Sequence, residues 1–207
     1  MSDSPFPFFK LPTLVQLLII NNFHLSELTN WDNLVLRENP EQVLSGKDLK
    51  FILENLNIKH LYLRCDTEVD FKYSGPLKMD VLTLNGSNWL TLDAIRSMEC
   101  REVENRDPSN TFSDNDLNAI IKCWMAGGLG KLEKFHVNML LDDSEERLNR
   151  ILEGIETMAW IPENRPRDWC GWDISTGRDL RRSDGLFATV VMDGFFHFVV
   201  WHPKRLR

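Results

Sequence analysis

Two hydrophobic periods alternate along this chain. In residues 112–140, FSDNDLNAIIKCWMAGGLGKLEKFHVNML, the side chains of Leu117, Ile120, Ile121 and Trp124 recur at i, i+3, i+4 and i+7. That is the apolar stripe of an amphipathic helix. Ser113 is a natural N-cap with Asp116 in the capping-box position, and Gly127-Gly128 provides the left-handed residue that ends a helix. Residues 132–137 then alternate apolar and polar, which predicts a strand with one buried face. The same order occurs upstream, where Ser45 and Asp48 cap a stripe of Leu49, Ile52, Leu53 and Leu56 before a strand over 58–63. Strands are also predicted over 79–84 and, more weakly, 100–104, with a short helix between them that is capped by Ser87 or Thr91 and carries Leu92 and Ile95. Ser144 caps a further helix with Leu148, Ile151, Leu152 and Ile155 inward.

The strand cores Leu61/Leu63, Leu82/Leu84, a degenerate Arg101/Val103 and Phe135/Val137 recur roughly every 20–30 residues. Repeated strand-then-helix units of this length predict an α/β fold, a short irregular leucine-rich-repeat-like αβ solenoid with parallel strands. An ordinary α/β sandwich on a parallel sheet is the alternative. Beyond Trp160 the pattern changes. Residues 186–192 and 195–201 are apolar runs joined by Asp193-Gly194, a strong two-residue hairpin signal, and Asp184-Gly185 suggests a third strand near 178–182. An antiparallel β meander is therefore expected from about residue 173 as a cap on the solenoid. Residues 31–45 read as irregular. Pro12 and the stripe Leu14, Leu17, Leu18 predict a small N-terminal helical segment in residues 1–30, too apolar to stand alone.

Composition narrows the function. With a net charge of −7 over 207 residues, non-specific nucleic-acid binding is not expected. The apolar run 14–20 is far short of the ~20 residues that span a bilayer, so no membrane role is expected, and the location read is cytosol or nucleus. Cys65, Cys100, Cys123 and Cys170 are scattered, as reduced thiols would be.

No catalytic grouping has diagnostic spacing. Gly127-Gly128-Leu129-Gly130 follows a helix rather than a strand and lacks the Lys and Ser/Thr of a phosphate loop. His24, His60, His136, His197 and His202 form no metal-binding pattern, and Asp142, Asp143, Glu145 and Glu146 complement a helix start. No cofactor, no metal and no enzyme activity are expected. Arg178, Arg181 and Arg182 form a basic knot whose partners are sought in Asp173, Asp179 and Asp184. Binding remains. With the leucines facing the helices, the opposite sheet face carries His60, Tyr62, Arg64, Val81, Thr83, Asn85, Glu102, Glu104, Lys134, His136 and Asn138, a mixture suited to protein contact or to plain solvation.

Several stretches resemble a known family. Phe6-Pro7 with Leu11-Pro12 and the apolar helix after them resembles the opening of an F-box, reaching to Leu28 and without a counterpart of its later helix. Asn88-Trp89, Asp116-Leu117-Asn118, Lys122-Cys123-Trp124, Gly127, Leu132-Glu133, the stretch 179–190 and Phe196 through Trp201 resemble the nematode F-box-associated domain, type 2. The resemblance implies a partial F-box in residues 1–30 and an associated domain over 31–207. It implies a substrate-recruiting subunit of a cullin-RING ubiquitin ligase, with Leu11, Pro12, Leu14, Leu17 and Leu18 on a Skp-type adaptor and an unknown protein target held by the associated domain. A stand-alone protein-binding module that has lost ligase association is the alternative.

Overall fold

The computed structural model describes residues 32–37, 43–107, 112–139, 144–160, 166–169 and 171–203. Along the chain the elements are β1 (Asn33–Arg37), α1 (Gly46–Asn55), β2 (His60–Arg64), β3 (Val81–Leu84), α2 (Leu92–Arg96), β4 (Glu102–Asn105), α3 (Asp114–Met125), β5 (Lys134–Asn138) and α4 (Glu145–Ile151). The rest is strand: β6 (Met158–Ala159), β7 (Asp168–Trp169), β8 (Trp172–Asp173), β9 (Arg178–Arg181), β10 (Phe187–Met192) and β11 (Phe195–Trp201).

Local chemistry accounts for the helices. Ser113 Oγ accepts from the Asp116 amide while the Asp116 carboxylate accepts from the Ser113 amide, a complete capping box at α3. Gly127 ends that helix at φ +92°, a conformation that would strain a residue with a Cβ. Ser45, Thr91 and Ser144 cap the other three helices. The apolar stripes lie on the sheet: Leu49 and Ile52 of α1 and Leu117, Ile120, Ile121 and Trp124 of α3 are all fully buried. Each such side chain contributes roughly 1.5–3 kcal/mol by leaving water.

The expected solenoid is not what forms. Nine strands make one mixed sheet in the order β1-β2-β3-β4-β5-β11-β10-β9-β6. The first five are parallel neighbours, but past β5 every pairing is antiparallel. A solenoid needs each unit to stack on the next in one sense, and here β11, the last strand among the described residues, closes the β5 edge instead. The units are also unequal, since no helix joins β2 to β3. The C-terminal strands are therefore the second half of the sheet and not a cap on its end. The F-box-like helical segment of residues 1–30 lies outside the described residues.

Three local expectations also change. Residues 33–37 form β1, whose Leu34 and Leu36 are buried and pair in register with Leu61 and Leu63. In β4 the buried pair is Val103 and Asn105, one step on from Arg101/Val103, and the Asn105 amide is satisfied by Ser87 Oγ at 2.9 Å and the Asp107 amide at 3.0 Å. The Asp193-Gly194 turn pairs Met192 with Phe196, so its loop holds three residues with Gly194 at φ +85°. A left-handed glycine in a three-residue loop is the usual bulged alternative to a two-residue turn.

A second, smaller core lies apart from the helix-covered one. Trp169, Ile174, Val191, Val199 and Trp201 pack together with Trp172 and Phe187 against them. The two-stranded β7–β8 ladder supplies two of these tryptophans and covers part of the sheet on the side away from the helices.

Candidate functional face and the buried histidine pair

Parallel register sets the side chains opposite the helices in rows. His60, Val81, Glu102 and Lys134 form one row; Tyr62, Thr83, Glu104 and His136 form the next, which β11 extends with His197. The two rows have different surroundings at their two ends. Toward β1 the face is open: His60 and Tyr62 are half-buried, Arg64 and Asn85 are exposed, and His60 Nδ1 lies 2.8 Å from Asn33 Oδ1. Toward β5 it is closed, with Thr83 and His136 buried and the Lys134 side chain only 12% exposed.

Trp172 closes it. Its indole stacks on His136 at 4.8 Å between ring centroids and 15° between planes, and lies 4.4 Å from the His197 ring. The Lys134 ammonium is 4.4 Å from the centroid of the same indole, a cation–π contact. Phe195 also stacks on His136 at 4.8 Å. Beneath these rings runs a polar line. Asp193 Oδ1 is 2.8 Å from His197 Nε2, and His197 Nδ1 is 3.1 Å from His136 Nδ1. An ionised carboxylate only accepts, so His197 donates from Nε2 and its Nδ1 accepts the Nδ1 proton of a neutral His136.

That neutral arrangement agrees with the electrostatics. Burial, then the neighbouring His197, push the His136 imidazole down to about 3. Burial also lowers His197, outweighing the opposing pull of Asp193. Burial raises the Glu104 carboxyl, but the Arg106 hydrogen bond at 2.9 Å together with the charges of Lys134 and Arg106 holds it below its ordinary value. No group able to hold a metal ion occurs among the described residues. Burial pushes the Cys100 thiol up to about 12, where it stays protonated. The Asp–His–His line is a polar tie between β5 and β11 in which each proton has a defined place.

Other sequence candidates are placed as follows. Leu11, Pro12, Leu14, Leu17 and Leu18 lie outside the described residues, as do His24, Asp142 and Asp143. Asn138 is half-buried and its amide approaches the Arg106 carbonyl at 3.4 Å. The basic knot is internally paired: Arg178 bridges to Glu145, Arg182 to Asp184 at 2.7 Å, and Arg181 lies 5.5 Å from the Phe187 ring centroid. Asp173 instead binds Arg167, and Asp179 binds Thr189. Sequence reasoning missed His197, Asp193 and Trp172 as partners of His136. The available signal was β11 itself, in which every residue but His197 is apolar, as in a strand buried on both faces.

The comparisons with known proteins bear on this face. The family model described as F-box associated matches residues 55–137, from the end of α1 through β5, and so contains both rows as far as His136. Two proteins of Caenorhabditis elegans align more widely. The uncharacterized protein F59B2.9 is 25% identical over 174 residues, 75% of this chain and 39% of that protein. The uncharacterized protein F59B2.8 is 23% identical over 198 residues, 89% of this chain and 44% of that protein. The chain thus spans about two fifths of the length of the curated relatives it matches. No solved structure matches it. Among the described residues no helix is long and apolar enough to cross a membrane. F-box-associated domains are interaction domains rather than enzymes, which accords with a site made of stacked rings and ion pairs. Residues 55–137, from the end of α1 through β5, are thus similar to the F-box-associated domain, and the chain as a whole is similar to nematode proteins aligned along most of its length.

Proposed function

We propose that this chain recruits a protein target to a cullin-RING ubiquitin ligase, with residues 1–30 as a partial F-box on a Skp-type adaptor and residues 31–207 as the target-holding domain. The F-box-associated match over residues 55–137 carries the reading. On it, Leu11, Pro12, Leu14, Leu17 and Leu18 enter the adaptor's apolar groove. The open end of the sheet face, His60, Tyr62, Arg64, Asn85, Glu102 and Glu104, contacts the target. Thr83, buried beneath it, and Lys134, His136 and Asn138 on β5 support that surface.

The test is a binding measurement between purified Skp-type adaptor and the full chain, alongside Leu11→Asp and Leu17→Asp. A carboxylate driven into an apolar interface costs several kcal/mol, so both variants lose adaptor binding while their thermal midpoints stay at the wild-type value. Unchanged binding by both variants refutes the adaptor role. The F-box resemblance ends at Leu28, which favours a second reading, a stand-alone interaction module. That reading predicts no adaptor binding by the wild type and lowered midpoints in the same variants, because the helix then packs on the chain's own body.

A further inference from the structure

Strands β2, β3 and β4 run parallel, so their carboxyl ends share one edge of the sheet. The segments leaving them, with the approach to α1, line a groove of about 370 Å³. Two features of its lining differ from ordinary surface. Val43 and Val69 are 56% and 78% exposed, the large hydrophobic side chains left open among the described residues, and both border this groove. The lining also holds three carboxylates, Asp66, Glu68 and Asp107, with no Lys, Arg or His. Lys72, which hydrogen-bonds the Asn88 carbonyl, does not line it.

The carboxylates are set before any ligand arrives. Glu68 Oε2 accepts from the Gly46 amide at 2.8 Å, and Asp107 Oδ2 from the Ser87 amide at 3.1 Å. Both are fixed by the backbone of neighbouring segments, so their negative potential has a fixed position. The Asp66 side chain is exposed beside them. A bare cation does not match this lining, because no three ligating side chains converge as a metal would need. An anion is repelled. A ligand that is purely apolar covers the valines but strips water from three charges. The lining is complementary to a positive charge carried on a chain that is also apolar.

We propose that this groove docks an extended segment of a partner protein that sets a lysine or arginine beside an aliphatic residue. The aliphatic side chain covers Val43 and Val69, the cation reaches Asp66, and Glu68 and Asp107 add to the field that draws it in. The proposal rests on the recruiting reading only in taking the ligand to be a protein segment, and it names the chemistry that the segment carries.

The test is to pan a random dodecapeptide phage library on the full-length chain and to measure the selected peptides, synthesised with a fluorophore, by anisotropy. The selected peptides carry Lys or Arg next to Val, Leu or Ile. Asp66→Lys and Val69→Asp, both exposed positions, each weaken binding about tenfold or more with unchanged circular dichroism. Raising the salt from about 50 to about 300 mM weakens the wild-type complex, as screening of exposed charges requires. Lys50→Ala, at an exposed position of α1 that does not line the groove, leaves the affinity unchanged. Selection of acidic or uncharged peptides, equal binding by both groove variants, or no selected peptide at all overturns the inference. Loss of binding in Tyr62→Ala alone also overturns it, moving the peptide site to the sheet face and leaving recruitment intact. Recruitment itself stands or falls on the adaptor measurement.

Discussion

Lowering the pH from 7.5 to 5.5 charges histidines in the unfolded chain but leaves His136, stacked against Trp172, neutral in the folded one. His136 is held down to about 3 by burial and by His197, against about 6.5 in an unfolded chain. A group whose folded value is depressed binds more protons when unfolded, so its contribution to stability is full above about pH 6.5 and is lost as pH falls below that value. At pH 5.5, one unit below the unfolded value, the unfolded state gains about 1.4 kcal/mol from His136, nearly all of it absent at pH 7.5. His197 is lowered too and acts in the same direction. The assay is urea unfolding followed by tryptophan fluorescence at the two pH values, for the wild type and His136→Gln, whose side chain keeps a donor for His197 but does not titrate. The variant's stability difference between the two pH values should be smaller than the wild type's by about 1.4 kcal/mol, with unchanged m. Other titrating groups are common to the two proteins and cancel in the comparison. Equal pH dependence in the two proteins, or a wild type more stable at pH 5.5, refutes the neutral histidine pair.

Three further changes test the packing, each read as a shift in the denaturant midpoint. Trp124→Ala empties a fully buried site in edge-on contact with Phe198 at 5.4 Å and should cost about 3–5 kcal/mol. Gly177→Ala sets a Cβ 2.6 Å from Val191 Cγ2 and 2.8 Å from the Val190 carbonyl oxygen, and should cost about 1–3 kcal/mol; a neutral result contradicts the close approach of this turn to β10. Ser113→Ala removes half of the capping box of α3 and should cost about 1 kcal/mol, with Ser113→Asp restoring most of it.

The helices were legible because their signals are local: a cap, a stripe and a stop occur within a dozen residues of one another, as in Ser113, Leu117 through Trp124, and Gly127. Strand β1 was not, since its five residues carry a single Leu34/Leu36 pair and no cap of their own. The sheet order was invisible for a different reason. Phe135 pairs with Phe198 across most of the C-terminal third of the chain, and neither strand's periodicity says which neighbour it will take. The same limit applies to the candidate face. Alternation along β2 to β5 says which side each residue points to, but not what covers it. Trp172 reaches His136 from a two-residue strand with no period to read.

The position of β11 between β5 and β10 has a consequence for how the chain is made. As it leaves the ribosome, the five parallel strands can pair in turn, each on the one before. The β5 edge then exposes unpaired amides and carbonyls until the final strand emerges, and an unpaired edge is the part of a sheet most open to joining another molecule. Completion of the middle of the sheet therefore waits for the C-terminal strand. Premature termination between β5 and β11 leaves a nascent chain with an adhesive border, an abrupt liability that a sheet finished in chain order does not carry.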